Sequence, residues 1–123
     1  MRTFKLMASA AAVLGVFAVS MPAQAQSKAP LRIGAIVDMS GVYSAHGGPG
    51  GIVAVEMAVK DFGGEVNGRK IEVLSADYHN KLDVTLSTAR KWYDQDGVDM
   101  IIESTDSASA LGLQKLSQEK KKA

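Results

Sequence analysis

The chain has no cysteine. A disulfide scaffold is therefore excluded, and an apolar core must stabilise the fold. Histidine is nearly absent too. The two present, His46 and His79, lie far apart in different segments, with no i, i+4 spacing between them. No metal-ligating pattern arises from them. No charge of one sign dominates either. Fourteen Lys and Arg face 13 Asp and Glu, so nothing points to nucleic acid as a partner. No G-x-S-x-G elbow occurs, and no spacing couples Ser, His and Asp into a hydrolytic set. No cofactor is expected. Gly48-Pro49-Gly50 does not close a G-x-G-x-x-G fingerprint, and 63–70 (GGEVNGRK) lacks the Gly-Lys-Ser/Thr ending of a phosphate loop. At 123 residues the chain holds at most one domain.

What is present begins with a targeting pattern. Arg2 and Lys5 precede an apolar run from Leu6 to Val19, and Ala23-Gln24-Ala25 follows Pro22. A basic start, an apolar middle and a small-x-small end form a secretory signal. The run is shorter than the ~20 residues of a membrane span. Residues 1–25 are read as a signal peptide, 26–30 as a short polar lead-in, and 31–123 as the folded part. Removal of Arg2 and Lys5 with the signal leaves that part close to neutral.

The rest alternates between two periodicities. Leu31 to Val37 is a short β-rich apolar run, read as a strand. A glycine-rich loop, Asp38 to Gly51, follows. Ile52, Val55, Val59 and Phe62 then recur at helical spacing, with Glu56 and Lys60 off that face. Gly63-Gly64 stops the helix, and Asn67-Gly68 marks a tight turn. Ile71 to Ala76 is a second strand. Asp83 is a plausible cap for a second helix, with Leu86, Ala89 and Tyr93 facing inward, Trp92 alongside, and Gly97 at its end. Val98 to Ile102 is a third strand, apolar enough to be covered on both faces. Ser107 opens a third helix carrying Leu113 and Leu116, and Lys120, Lys121 and Lys122 close it. Three strand–helix units in succession imply an α/β fold with a parallel sheet and right-handed crossovers. Ligands of such sheets sit beyond the carboxyl ends of the strands, where strand order reverses. The loops to search are those after the first and third strands, Asp38 to Gly51 and Glu103 to Ser109.

Each loop carries two readings. The hydroxyl-dense 104–109 segment opens a helix, whose free N–H groups bind anions, carboxylates included. The same residues also fit a plain N-cap at Ser107 with solvated neighbours. Tyr43 and His46 fit a pocket wall or two surface side chains. Asp77 fits a strand-end cap or a polar group near a hinge.

The segment LRIGAIVDMSGVYSAHGGPGGIVAVEMAVKDFGG resembles the opening of leucine/isoleucine/valine-binding-type solute receptors. The match lies in its strand, its x-M-S-G, its glycine loop and its A-x-x-M-A-x-x-D helix. NGRKIEVLSADYHNKLDV and GVDMIIESTDSASALGLQKLSQEKKK are similar to the family's next two strand–helix units. The resemblance implies a type I periplasmic binding protein: two three-layer α/β/α lobes closing on an amino acid or related small carboxylate. It implies delivery of that ligand to an inner-membrane ABC permease, and no enzymatic activity. It places the carboxylate grip on Ser107 and the Ala108–Ser109 amides, and the aromatic wall on His46, with Tyr43 nearby. A histidine at that wall, where branched-chain binders carry a bulky aromatic, opens aromatic acids or other small carboxylates beside leucine-type ligands. Family members are about three times this length, as a two-lobe receptor requires. The expectation is thus an incomplete N-terminal lobe, from a truncated frame or a fragment. A periplasmic ligand-sensing domain of the same fold is the alternative.

Overall fold

The computed structural model describes residues 28–123. The signal peptide expected over residues 1–25 and its cleavage site lie outside the described residues. Among the described residues, four strands and four helices run in the order β1 (Leu31–Val37), α1 (Ser44–Gly47), α2 (Pro49–Phe62), β2 (Glu65–Val66), β3 (Arg69–Asp77), α3 (Leu82–Asp94), β4 (Met100–Ile102) and α4 (Ser107–Lys120). The sheet order is β2-β3-β1-β4. β1 pairs in parallel with β3, Leu31 opposite Ile71 through Val37 opposite Asp77, and with β4, Ile33 opposite Met100. The chain thus moves from β1 to one side and returns across it to the other. The strand order reverses between β1 and β4.

Alternation along β1 assigns the layers, because successive strand residues point to opposite faces. Ile33 faces α2, together with Ile71 and Ile102. Gly34 and Ile36 face α3 and α4, where Ile36, Tyr78, Ala89, Trp92, Tyr93, Val98, Leu113 and Leu116 form the buried core. Gly34 has a specific reason to be glycine: a Cβ there would lie 2.4 Å from Trp92 Cζ3. The indole packs against the bare strand. α3 and α4 are also joined by buried hydroxyls, Thr85 Oγ1 to Ser109 Oγ at 3.1 Å. Tyr93 reaches Ser117 Oγ at 2.9 Å.

Several sequence expectations need correction. The sheet is mixed, because Asn67 (φ 51°) and Gly68 (φ 74°) fold β2 back antiparallel onto the start of β3. The Asn-Gly turn was legible; the two-residue strand before it is too short to show periodicity. The glycine loop is shorter than expected. Ser44–Gly47 forms a single helical turn, and α2 starts at Pro49, whose fixed φ suits the first helical position. Along α2, Ile52, Val55 and Val59 are half-buried, but Phe62 is 65% exposed. Asp83 lies inside the first turn of α3 and Lys81 is the cap residue. The buried stripe of α3 takes Thr85, Ala89, Trp92 and Tyr93, leaving Leu86 half-buried. Thr85 is accommodated because its hydroxyl is paired with Ser109 and Lys81 O. The helix ends at Asp94; Gly97 (φ 66°) makes the turn toward β4.

The end of α2 follows expectation. Gly63 (φ 105°) is left-handed, with Gly63 N–H donating to Lys60 O and Gly64 N–H to Val59 O. Those two bonds satisfy carbonyls that a helix end leaves open.

Candidate functional site

Three loops leave the carboxyl edge of the sheet, after β1, β3 and β4. Carboxylates fix each one. Asp38, fully buried at the end of β1, accepts Gly41 N–H at 2.8 Å and Tyr43 N–H at 2.9 Å. That closes the turn leading into α1. Asp77, at the end of β3, accepts Met39 N–H at 3.0 Å, His79 N–H at 2.9 Å and the Ser40 hydroxyl at 2.7 Å. It ties the β1 loop to the β3 loop. His79 Nδ1 lies 2.9 Å from Ser40 Oγ and 3.2 Å from Asp77 Oδ2. A hydrolytic triad needs the imidazole between Ser and Asp through its two different nitrogens. Here one nitrogen meets both, so this cluster is a clasp between loops.

The β4–α4 loop is the expected serine loop, and its cap is not Ser107. Asp106 is the N-cap; its carboxylate accepts Ala108 N–H at 3.3 Å and Ser109 N–H at 2.8 Å. Asp and Ser are both capping residues, so a D-S-A-S run leaves the register open to one residue. The consequence reaches the site. The Ala108 and Ser109 amides already hold Asp106, and the Ser109 side chain is fully buried against Thr85. Ser107 is exposed, and no hydrogen bond engages its N–H or hydroxyl among the described residues. Glu103, Ser104, Thr105, Asp106, Ser107 and Ala110 line an open polar concavity of about 300 Å³.

The structure brings the two searched loops together. A Cβ on Gly47 would lie 2.8 Å from Thr105 Cγ2 and 3.0 Å from Ser104 Oγ. The C-terminal end of α1 therefore touches the serine loop directly. Tyr43 and His46 lie on this same short segment, both exposed, with ring centroids 6.4 Å apart at 74°. Sequence reasoning missed Asp38, Glu103 and Asp106. Most of their partners are backbone N–H groups, which carry no residue signature.

Three aspartates are held below the ordinary value of 3.8: Asp77, Asp99 and Asp106. For Asp106 the Ser109 hydroxyl and N–H stabilise the ionised form. Burial alone would raise Asp77 and Asp99. The Ser40 hydroxyl with the His79 and Met39 N–H groups outweighs it at Asp77, and Arg32 N–H with Arg69 does so at Asp99. A carboxylate with a lowered folded pKa stabilises fully above its unfolded value and loses that contribution as pH falls through the folded one. Urea midpoints are thus expected to be flat from pH 7 to 5 and to drop below pH 3.8. Asp106→Asn should flatten part of that drop. Asp106→Ala should cost about 1 kcal/mol at neutral pH through loss of the cap.

Comparison with known proteins gives a consistent result. The family profile described as periplasmic binding protein matches residues 30–123. A periplasmic binding protein from Burkholderia mallei superposes with a TM-score of 0.74 at 49% identity, over 76% of this chain and 25% of that one. A branched chain amino acid ABC transporter periplasmic ligand-binding protein from Burkholderia xenovorans gives 0.71 at 43% identity, over 75% of this chain and 25% of that one. An ABC transporter solute binding protein from Rhodopseudomonas palustris, in complex with 3,4-dihydroxybenzoic acid, gives 0.64 at 27% identity, over 73% and 24%. The chain spans about a quarter of the length of these structures. No curated protein sequence matches it.

Proposed function

The chain belongs to the periplasmic binding protein family, and on that premise we propose that it supplies ligand-binding loops to the substrate-binding component of an ABC transporter. The ligand class is amino acids or related small carboxylates. The protein binds its ligand, releases it unchanged to an inner-membrane permease, and works in the periplasm. The observation that carries this reading is the contact of the β1 and β4 loops beside the sheet's reversal point, where ligands of open α/β sheets sit. Ser107 offers an open N–H and hydroxyl there.

The expected grip narrows accordingly. Ser107 takes the ligand carboxylate through its own N–H and hydroxyl, with the Ser104 hydroxyl as neighbour. The Ala108 and Ser109 amides act through Asp106, holding the helix start in place. Tyr43 and His46 form the wall against the ligand's side chain. One relative is a branched chain amino acid ABC transporter ligand-binding protein and another holds 3,4-dihydroxybenzoic acid, which supports a carboxylate ligand and leaves an aliphatic and an aromatic option. The test is calorimetric titration of the whole receptor with isoleucine and with 3,4-dihydroxybenzoate, before and after Ser107→Ala. Loss of charge-assisted hydrogen bonds should weaken the true ligand by about tenfold or more. Unchanged affinity in the variant would remove Ser107 from the site.

Export is part of the same proposal. Cleavage after Ala25 should leave Gln26 as the N-terminal residue, read by mass spectrometry of the periplasmic fraction. A mass retaining Met1 would contradict it.

A further inference from the structure

One carboxylate in the serine loop has no role in the grip just described. Glu103 follows β4 directly, and its Oε1 accepts three hydrogen bonds. They come from Thr105 N–H at 2.7 Å, the Thr105 hydroxyl at 2.7 Å and Asp106 N–H at 2.8 Å. The Thr105 hydroxyl lies 3.1 Å from the hydroxyl of Tyr78, a fully buried side chain just after β3. The apolar core does not include Glu103.

We propose that Glu103 is the positioning residue of the ligand loop: it folds 104–106 into the turn that presents Ser107, without touching the ligand itself. This rests on the ligand-binding reading above. The geometry runs in sequence. Glu103 fixes Asp106 N–H, so the Asp106 carboxylate turns toward α4 and takes the Ala108 and Ser109 N–H groups. With those donors satisfied within the loop, the N–H and hydroxyl of Ser107 are left facing outward. Through Thr105 and Tyr78 the same turn is anchored to β3, so the loops after β3 and β4 keep a fixed separation. A carboxylate accepting three N–H and O–H groups forms short, charge-assisted bonds. A loop ordered in advance does not lose that freedom when ligand arrives. Glu103 also fills the Thr105 and Asp106 amides, which an anionic ligand could otherwise occupy in a second pose.

The test compares Glu103→Gln and Glu103→Ala with the parent protein, whole and ¹⁵N-labelled, titrated with isoleucine and with 3,4-dihydroxybenzoate. Glutamine keeps the acceptor oxygen; alanine removes it. The expected result is that Glu103→Gln binds within about threefold of the parent at the Ser107 amide, while Glu103→Ala weakens by about tenfold or more. Amide exchange at Thr105 and Asp106 should quicken in Glu103→Ala alone, with Leu113 and Leu116 still protected as evidence of an intact fold. Parent-like affinity in Glu103→Ala overturns the proposal, and so does failure of glutamine to restore binding. If neither probe moves Ser107 in the parent protein, the ligand reading falls by itself. Exchange at Thr105 and Asp106 then decides the positioning claim: unchanged rates in Glu103→Ala overturn it, and faster rates sustain it.

Discussion

Trp92→Ala is expected to remove most of the chain's stability at 25 °C. The side chain is 6% exposed and sits in the core against Gly34 of β1. Removing a buried Trp costs about 3–5 kcal/mol, through lost transfer energy and the cavity left behind. Domains of this size hold only about 5–15 kcal/mol in total, the smaller ones at the low end. The cavity cannot collapse easily, because β1 forms its floor and is held on both sides by β3 and β4. Gly34→Ala attacks the same contact from the other side. Its Cβ would meet Trp92 Cζ3 and Cε3 at 2.4 and 2.5 Å, and a rigid indole has no flexible end to yield. Overpacking of this kind costs about 1–3 kcal/mol. The two changes share one contact, so Gly34→Ala should cost less in a Trp92→Leu background than alone. Urea unfolding followed by circular dichroism reads Trp92→Ala, Gly34→Ala, Trp92→Leu and the Gly34→Ala/Trp92→Leu pair. Strict additivity would mean that the indole does not rest on Gly34.

The second large effect concerns affinity. The 123-residue polypeptide by itself is expected to bind isoleucine or 3,4-dihydroxybenzoate no tighter than about millimolar. Good small-molecule sites bury about 70–90% of the ligand. The concavity at the serine loop is open, and every residue lining it belongs to one loop and the first turn of one helix. Ser107 contributes two hydrogen bonds to a carboxylate, each worth about 1.5–3 kcal/mol. Lost translational and rotational freedom costs at least about 4 kcal/mol. The remainder, at most about 2 kcal/mol, falls short of the roughly 4 kcal/mol that millimolar binding needs. A receptor that encloses the same loops with a second wall should bind far more tightly. Micromolar affinity of the short polypeptide would show that enclosure is not what limits it.

How much of this was legible in the sequence depends on the type of signal. β1 was read to the residue, because LRIGAIV is an uninterrupted β-rich run bounded by a proline and an aspartate. The paired Gly63-Gly64 stop and the buried Leu113 and Leu116 were equally plain. The short strand β2 and the one-turn helix α1 were not, since two or four residues cannot display a period. The exposure of Phe62 contradicts its place in the helical pattern. Periodicity names the face of α2, and whether neighbouring elements reach its end depends on tertiary placement. The site divides in the same way. The location of the two loops followed from strand alternation and the reversal rule. The roles within the serine loop did not. They depend on which carboxylate meets which N–H, and Asp106 instead of Ser107 holds the Ala108 and Ser109 amides. Residue types alone left both caps open.

The most direct measurement is a map of backbone amide shifts on titrating the labelled protein with isoleucine and with 3,4-dihydroxybenzoate. The central claim is that ligand sits where the β1 and β4 loops touch. It predicts saturable shifts at His46, Gly47, Ser104 and Ser107 with one of the two probes, and none along the outer face of α2 at Val53 and Met57. Shifts confined to α2, or saturable binding that leaves Ser107 unmoved, would contradict it.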